Sequence, residues 1–548
     1  MRYEVPVERL RLSCDPQTLP CATSEELQPG KTIIGQQRAT RSLQFGLGIQ
    51  APGFNIFVAG LPGTGRTTAV TRYLEAIAQE RPAPCDWCYV NSFHDPSRPN
   101  AIRLPAGRAR RFQADMSALI QAVQRELRQA FESAEYAARR AEVTGAFEAR
   151  KQVFQERAVE KALSQGFVIR RSPVGVMTLP LKDGQPMTPE EFATLSPAEQ
   201  EAWSQKGKVV QAEIENAFRQ CNAVDKEASV ALVEMDQQVA LYALRRLFDE
   251  LKERYAELPE VIAYLDEVRS DLLADLDQFR PQEQQPAASP QAADAMAQRL
   301  EKYAVNVLVD SSDRAGAPVV MEHNPTYSNL FGRIDNEARF GTLVTNFTLI
   351  GAGSLHRANG GYLVLPIEDV LRNPFSWDSL KRALRDARIV IEDPMQRLGL
   401  FSTRTLQPEP IPLDVKVILI GRPMLYHLLQ AFDDDFAELF KVKAEFDSIM
   451  DRQTENVEDY ARFVSSLCGE EGLKHLDSAA VAKMIELGSR LAGDQQKLST
   501  RFGEIADVIR EANYYAVQES VPCASTSPDA YDVAVILGLT LTGHFPAS

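Results

Sequence analysis

Residues 51–68, APGFNIFVAGLPGTGRTT, decide the fold. Phe54–Ala59 is an apolar run of strand length. It enters a glycine-rich turn and then a helix-compatible stretch. The turn, Gly60-Leu61-Pro62-Gly63-Thr64-Gly65-Arg66-Thr67, has the spacing of a phosphate-binding loop, and Thr68 extends it. Its glycines admit φ > 0 and let main-chain amides close on phosphate oxygens. The helix that follows offers unpaired N–H groups and a partial positive charge. Position 66 reaches the β- and γ-phosphates, and Thr67 is placed to hold Mg²⁺ through its hydroxyl. The usual residue at 66 is Lys. Here it is Arg, which keeps the charge on a bulkier, planar group. The plain alternative is a strand–helix turn without a ligand, and the strand and full spacing count against it.

Around this loop the chain has the bulk for large cores. Its 548 residues predict about two to four domains. A hydrophobic content of 44% is ordinary for a globular protein. The net charge is −15 and no Lys/Arg-rich block stands out, which argues against nucleic acid as the main ligand. No apolar run reaches the ~18 residues of a membrane span, and the N-terminus lacks an apolar signal core. The expectation is a cytoplasmic protein. The 7 cysteines are few and odd in number, which fits a reducing compartment. Cys85 and Cys88 form a CxxC without a second pair, and Cys14 and Cys21 lack knuckle spacing. They read as plain thiols, the first two on or beside a buried strand at Trp87–Val90.

Upstream of the loop lies Ile33-Ile34-Gly35-Gln36-Gln37, followed by a helical stretch over 38–49. Downstream come a helix over Thr67–Gln79 and a second strand at Trp87–Asn91. This βα alternation points to a parallel sheet. Near Arg108 the pattern changes. Phe112, Met116, Ile120, Val123, Leu127, Ala130, Ala134, Ala137 and Ala141 recur every three or four residues. So do Val210, Ile214, Ala217, Cys221, Val224, Ala228, Ala231 and Met235. These heptad stripes predict an antiparallel helical hairpin, with an ordinary bundle as the alternative. An unbroken arm of ~55 residues would be about 80 Å long. Between the stripes, Phe167–Arg170 and Val174–Leu181 read as a short β-hairpin followed by the turn Lys182-Asp183-Gly184. Pro281–Ala293 is a polar Pro/Ala/Gln-rich linker. Strands are then expected at Val305–Asp310, Pro318–Glu322, Gly361–Leu365 and Val415–Gly421, with a helix over Asp378–Ala387. From Lys441 to Gln518 the chain reads as largely helical.

In this order the motifs resemble the AAA+ superfamily, and more narrowly the Lon-like protease family on the bacterial LonB/LonC side. Ile34-Gly35-Gln36 resembles the adenine-side box. Asp86–Asn91 and Leu104-Pro105-Ala106-Gly107 fit the segment after the loop. Asn324–Tyr327, Asn329–Ile334, Leu355–Tyr362 and Asp435–Val442 look like signature segments. The likeness runs from about residue 3 to 520. It implies an α/β, P-loop AAA+ parallel-sheet domain split into 1–109 and 293–440. It also implies a long antiparallel coiled-coil insertion over 110–292 and an α-helical lid and tail over 441–548. It further implies a homo-hexameric ring that engages unfolded protein for proteolysis and takes ATP or ADP with Mg²⁺. The nucleotide-binding set would be Ile34, Gly35, Gln36, Gly60, Pro62, Gly63, Thr64, Gly65, Arg66, Thr67, Thr68 and, as a sensor from the lid, Arg501.

Three departures bear on chemistry. Arg66 stands for Lys. The Gly360–Leu365 strand should end in an acidic pair that holds Mg²⁺, but it ends in Pro366-Ile367, with Glu368 and Asp369 beyond. Two extended residues carry a carboxylate about 7 Å away, a gap that a bent backbone would shorten. The strand ending at Gly421 runs into Arg422-Pro423, where a small polar sensor is usual. Weak or absent hydrolysis is therefore expected. Lys441 reads either as a group acting across a subunit boundary or as a solvated surface lysine. The family's Ser–Lys peptidase, in which the lysine takes the serine's proton, would follow the lid. With Ser548 as the last residue, no cleavage by this chain is expected, and Val533–Ser548 departs from the charged helix of the family. Lys182-Asp183-Gly184-Gln185-Pro186 lacks the nucleophile and reads as a turn. The alternative function is a nucleotide-independent ring scaffold that captures unfolded protein for a separate or deleted peptidase.

Overall fold

The computed structural model describes residues 12–28, 33–172, 175–182, 185–279, 299–339, 342–392, 406–518 and 523–524. Two compact units divide the chain, Met1–Gln113 with Val305–Ser548, and Ala114–Ala304.

The first unit is built on a five-stranded sheet. Its strands are β1 Ile56–Ala59, β2 Val319–Met321, β3 Tyr362–Pro366, β4 Lys416–Gly421 and β5 Val442–Glu445. Their spatial order is β5-β1-β4-β3-β2, and every pair is parallel. All four residues of β1 are buried, as in β4 after Lys416. Such near-continuous apolar runs are what a parallel sheet covered on both faces requires. On one face Ile56, Val58, Val364, Ile418 and Ile420 pack against Leu43 of helix α1 (Gln37–Gly48) and Val70 and Leu74 of helix α2 (Arg66–Ala78). Phe57 points the other way, its ring centroid 5.9 Å from that of Phe436, which stacks on Phe440 at 5.3 Å.

Two readings of the sequence need correction. The strand after the loop exists, as Asp86–Val90, but it is not in the parallel sheet. It is the middle of an antiparallel three-stranded sheet between Asn100–Leu104 and Val305–Val309. A short apolar run specifies a strand without specifying its partner. Here Asp86 chooses: fully buried, it accepts Ala109 N at 3.0 Å and Ser311 N at 2.8 Å. Second, the helical reading from Lys441 onward misses β5, which pairs with β1 at the sheet edge. It also misses the antiparallel pair Ile449–Asp451 and Lys497–Ser499. Three helices follow: α4 Thr454–Glu471, α5 Ser478–Ala492 and α6 Phe502–Gln518; a short helix, α3 Ile367–Arg372, leaves β3. Val464, Val481, Ile485, Leu498, Ile505 and Ile509 form the core of the helical part.

The second unit pairs helix Ala134–Ser164 with the 58-residue helix Pro197–Arg254. Contacts join Tyr136 to Asp236, Arg150 to Glu227, Lys151 to Asp225 and Ala162 to Val210, so the two run antiparallel. At 1.5 Å per residue the longer helix extends about 87 Å. Its expected stripe faces inward, with Val210, Val224 and Met235 buried. The first stripe holds only in part. Phe112, Met116, Ile120, Val123 and Leu127 are buried, but Ala134, Ala137 and Ala141 are exposed and Phe131 and Tyr136 are buried instead. The cause is Ser133, whose hydroxyl accepts Tyr136 N and starts a new helix, so this arm is not one unbroken helix. Strand Phe167–Ser172 pairs with Gly175–Lys182, which pairs with Gln185–Pro186. Asp183 and Gly184 lie outside the described residues, as do the 281–293 linker and the 533–548 tail.

Candidate nucleotide site

The loop lies where β1 meets α2. Gly65 sits before the helix at φ 67° and Gly63 at φ 81°, with open space where a side chain would begin. Both positions favour glycine and keep the main chain uncovered. The first amides of α2 have no intrahelical acceptor and face an anion's position. Thr64 is buried and its hydroxyl donates to Leu61 O at 2.8 Å, which braces the turn. Pro62, Thr67 and Thr68 are exposed, so the Thr67 hydroxyl is open to a ligand. These features fit a phosphate chain. Thr67 is the residue that would stand beside a divalent ion.

Arg66 does not lie along this cradle. Its Nη1 donates to Gly60 O and, at 2.8 Å, to Gly421 O. Burial pushes its guanidinium down from the ordinary arginine value, Glu368 opposes that, and Arg422 adds to it.

The acidic end also differs from the extended-strand expectation. β3 stops at Pro366, and Ile367 begins α3 with Glu368 and Asp369 in its first turn. A helix advances about 1.5 Å per residue against about 3.3 Å in a strand, so the backbone bend brings Glu368 back. Glu368 Oε1 accepts Arg422 N at 3.1 Å, at the end of β4. Asp369 instead faces Arg372 of its own helix at 3.1 Å. Pro366 and Ile367 themselves carry no acid, and Ile367 is buried. The readable signal was the run Pro-Ile-Glu-Asp, in which a proline precedes acidic residues suited to a helix start.

Ile34, Gly35 and Gln36 lie at the junction of sheet and lid. Ile34 is buried in the helical core beside Met450. Gly35 has φ 65°, and a Cβ there would come 2.2 Å from Met450 Sδ. Gln36 is 5% exposed; its amide donates to Asp447 O at 2.8 Å and accepts Asp447 N at 2.9 Å. Thr500 also donates its hydroxyl to Asp447 O. This junction was not legible beforehand, because position 447 carries no side-chain pattern of its own.

The lid touches the loop directly. Gly503 N donates to Gly63 O at 3.0 Å. Arg501, two residues earlier, is half-buried and pairs with Glu504 at 3.3 Å. The structure therefore gathers the loop, Arg66, Glu368 and the Arg501 segment, and Ile34–Gln36 lie at the junction of sheet and helical part. Lys441 is exposed, with its ammonium 5.2 Å from the Phe54 ring centroid. Cys88 is buried on its strand, and burial pushes its thiol up.

Three family models match in chain order. They are the Lon-like LonC helical domain over residues 86–119, the LonB-like AAA domain over 315–447, and the archaeal LonB AAA+ ATPase LID domain over 475–523. The second stretch carries β2 to β5 and the third carries α5 and α6. The archaeal Lon protease of Archaeoglobus fulgidus is 27% identical over 224 residues, 40% of this chain and 35% of that protein. The archaeal Lon protease of Methanocaldococcus jannaschii is 25% identical over 173 residues, 31% of this chain and 25% of its own. The match thus spans about a third or less of each relative. NtrX from Brucella abortus covers 55% of this chain and 66% of its own at TM-score 0.27 and 16% identity, a likeness too loose to argue from. The LonC helical, LonB-like AAA and archaeal LonB LID models match in chain order on the strand after the loop, the sheet and the helical part, so the chain is similar to the Lon-like AAA+ family.

Proposed function

We propose that this chain is a Lon-like AAA+ module that binds ATP or ADP and engages unfolded protein for proteolysis. The observation that carries the nucleotide part is the uncovered main-chain cradle between β1 and α2, with the lid's Gly503 seated on it. The loop amides would hold the phosphates, and Thr67 would hold Mg²⁺. Slow or absent hydrolysis follows from Pro366 at the strand end, and from a Glu368 carboxylate already engaged by Arg422 N. The protein-substrate part is supported by the two relatives, both proteases by name. A homo-hexamer is proposed on the same ground. No helix among the described residues is long and apolar enough to cross a membrane. A cytoplasmic location and the absence of a nucleic-acid role remain proposals, the latter resting on the acidic balance of the chain.

Titration calorimetry with Mg-ATP and Mg-ADP tests the nucleotide reading. Saturable heat that weakens in Thr67→Ala supports it, and no heat at millimolar nucleotide refutes it. One observation favours the second reading, a nucleotide-independent scaffold serving a peptidase held elsewhere. Arg66 Nη1 already donates to two main-chain carbonyls. Capture of an unfolded protein to the same extent with and without ATP would select that reading.

A further inference from the structure

Arg66 meets the ends of two sheet strands. Its guanidinium donates to Gly60 O after β1 and to Gly421 O at the end of β4. The same Gly421 carbonyl accepts Gly60 N at 3.2 Å. A lysine ammonium sits on a narrower stem, whereas a planar guanidinium offers a rigid fork of donors. The end of β4 packs tightly on the start of α3, since a Cβ on Gly421 would fall 2.3 Å from Ile367 Cγ2. Glu368 Oε1 accepts the N–H of Arg422, the residue that follows the Gly421 carbonyl held by Arg66.

We propose that Arg66 and Glu368 form a latch across the ends of β1 and β4 and the start of α3, one that competes with nucleotide for the Arg66 cation. Phosphate oxygens then gain the Arg66 Nη1 donors only when these leave the two carbonyls. Arg66 is a positioning residue that sets affinity, and Glu368 is its counter-charge. This rests on the nucleotide-binding reading, and the substitution that looks like a loss, Arg for Lys, becomes a brake.

The test titrates ADP, with Mg²⁺ and with EDTA, into the full chain and its Arg66→Lys and Glu368→Gln variants, and melts each without nucleotide. Arg66→Lys should bind ADP about tenfold tighter, the factor given by removing roughly one competing hydrogen bond. It should also melt at a lower temperature without ligand. Glu368→Gln should tighten binding by a similar factor in Mg²⁺ and in EDTA. Unchanged or weaker binding by Arg66→Lys, with the parent chain still binding, overturns the latch and leaves the nucleotide reading standing. Weakening by Glu368→Gln only in Mg²⁺ also overturns it, because Glu368 would then be a metal holder. Binding by Arg66→Lys alone supports the latch and removes nucleotide binding from the parent chain. No binding by any of the three refutes both.

Discussion

Gln36→Glu is an isosteric change that tests the junction between sheet and lid. The native amide makes a two-point grip on one peptide, donating to Asp447 O at 2.8 Å and accepting Asp447 N at 2.9 Å, in a nearly buried site. Glutamate keeps the acceptor but replaces the donor with a second oxygen. At pH 8 that oxygen faces a carbonyl, so one hydrogen bond worth about 1 kcal/mol is lost. The buried polar atoms left unmatched add about 1–3 kcal/mol. The expected loss is about 2–4 kcal/mol. Desolvation and the facing carbonyl both disfavour the charged form, so the new carboxyl titrates above its usual value in the folded chain. The folded state then binds more protons than the unfolded one, and the variant gains stability as pH falls. The protonated carboxyl can donate to Asp447 O, so by about pH 5 the deficit relative to the parent should shrink to under ~1 kcal/mol. Hydrogen exchange of the Asp447 amide reads one of the two bonds directly, and denaturant melts of parent and variant at pH 5 and pH 8 give the free energy. An Asp447 amide as protected in the variant as in the parent at pH 8, or a deficit independent of pH, would refute the reasoning.

Other expectations are as direct. Asp86→Ala leaves the buried Ala109 and Ser311 amides without their acceptor and should cost about 3–5 kcal/mol, read from denaturant midpoints. Asp86→Asn retains one good acceptor and should cost less. His356 is fully buried; its Nδ1 accepts Gly353 N at 3.2 Å, and burial holds its pKa down to about 4. An unfolded histidine titrates near 6.5, so the unfolded chain takes up protons first and stability falls from about pH 6.5 toward pH 4 by roughly 3 kcal/mol. His356→Gln should flatten that part of the pH–stability curve, and an unchanged slope would exclude the assignment. Thr67→Ala should weaken nucleotide binding in Mg²⁺ more than in EDTA, as calorimetry will show.

The sequence read well wherever one residue type satisfied one local demand. β1 and β4 are unbroken apolar runs because both sheet faces are covered, and such runs announce themselves. The loop glycines were legible because two of them take positive φ. The longer helix showed its buried stripe because it is continuous. What stayed hidden depended on partners distant in sequence. Asp86 is separated from Ser311 by 225 positions, and nothing in its strand foretold an antiparallel neighbour. The amide of Gln36 is bonded to residue 447, 411 positions away, and no local pattern foretells that partner. The place of Glu368 turned on one backbone event, the onset of a helix at Ile367, which no strand periodicity encodes.

The interruption at Ser133 has a mechanical corollary. In the antiparallel pair Asp115 meets Arg254 and Tyr255, and Tyr136 meets Asp236, so the break lies alongside an intact stretch of the long helix. One rail is jointed and the other is a continuous rod. Under a sideways load the jointed rail should yield first at 133, where the helical hydrogen-bond ladder is already interrupted, while the rod resists. A strut made this way has a preferred direction of bending, set by a single serine.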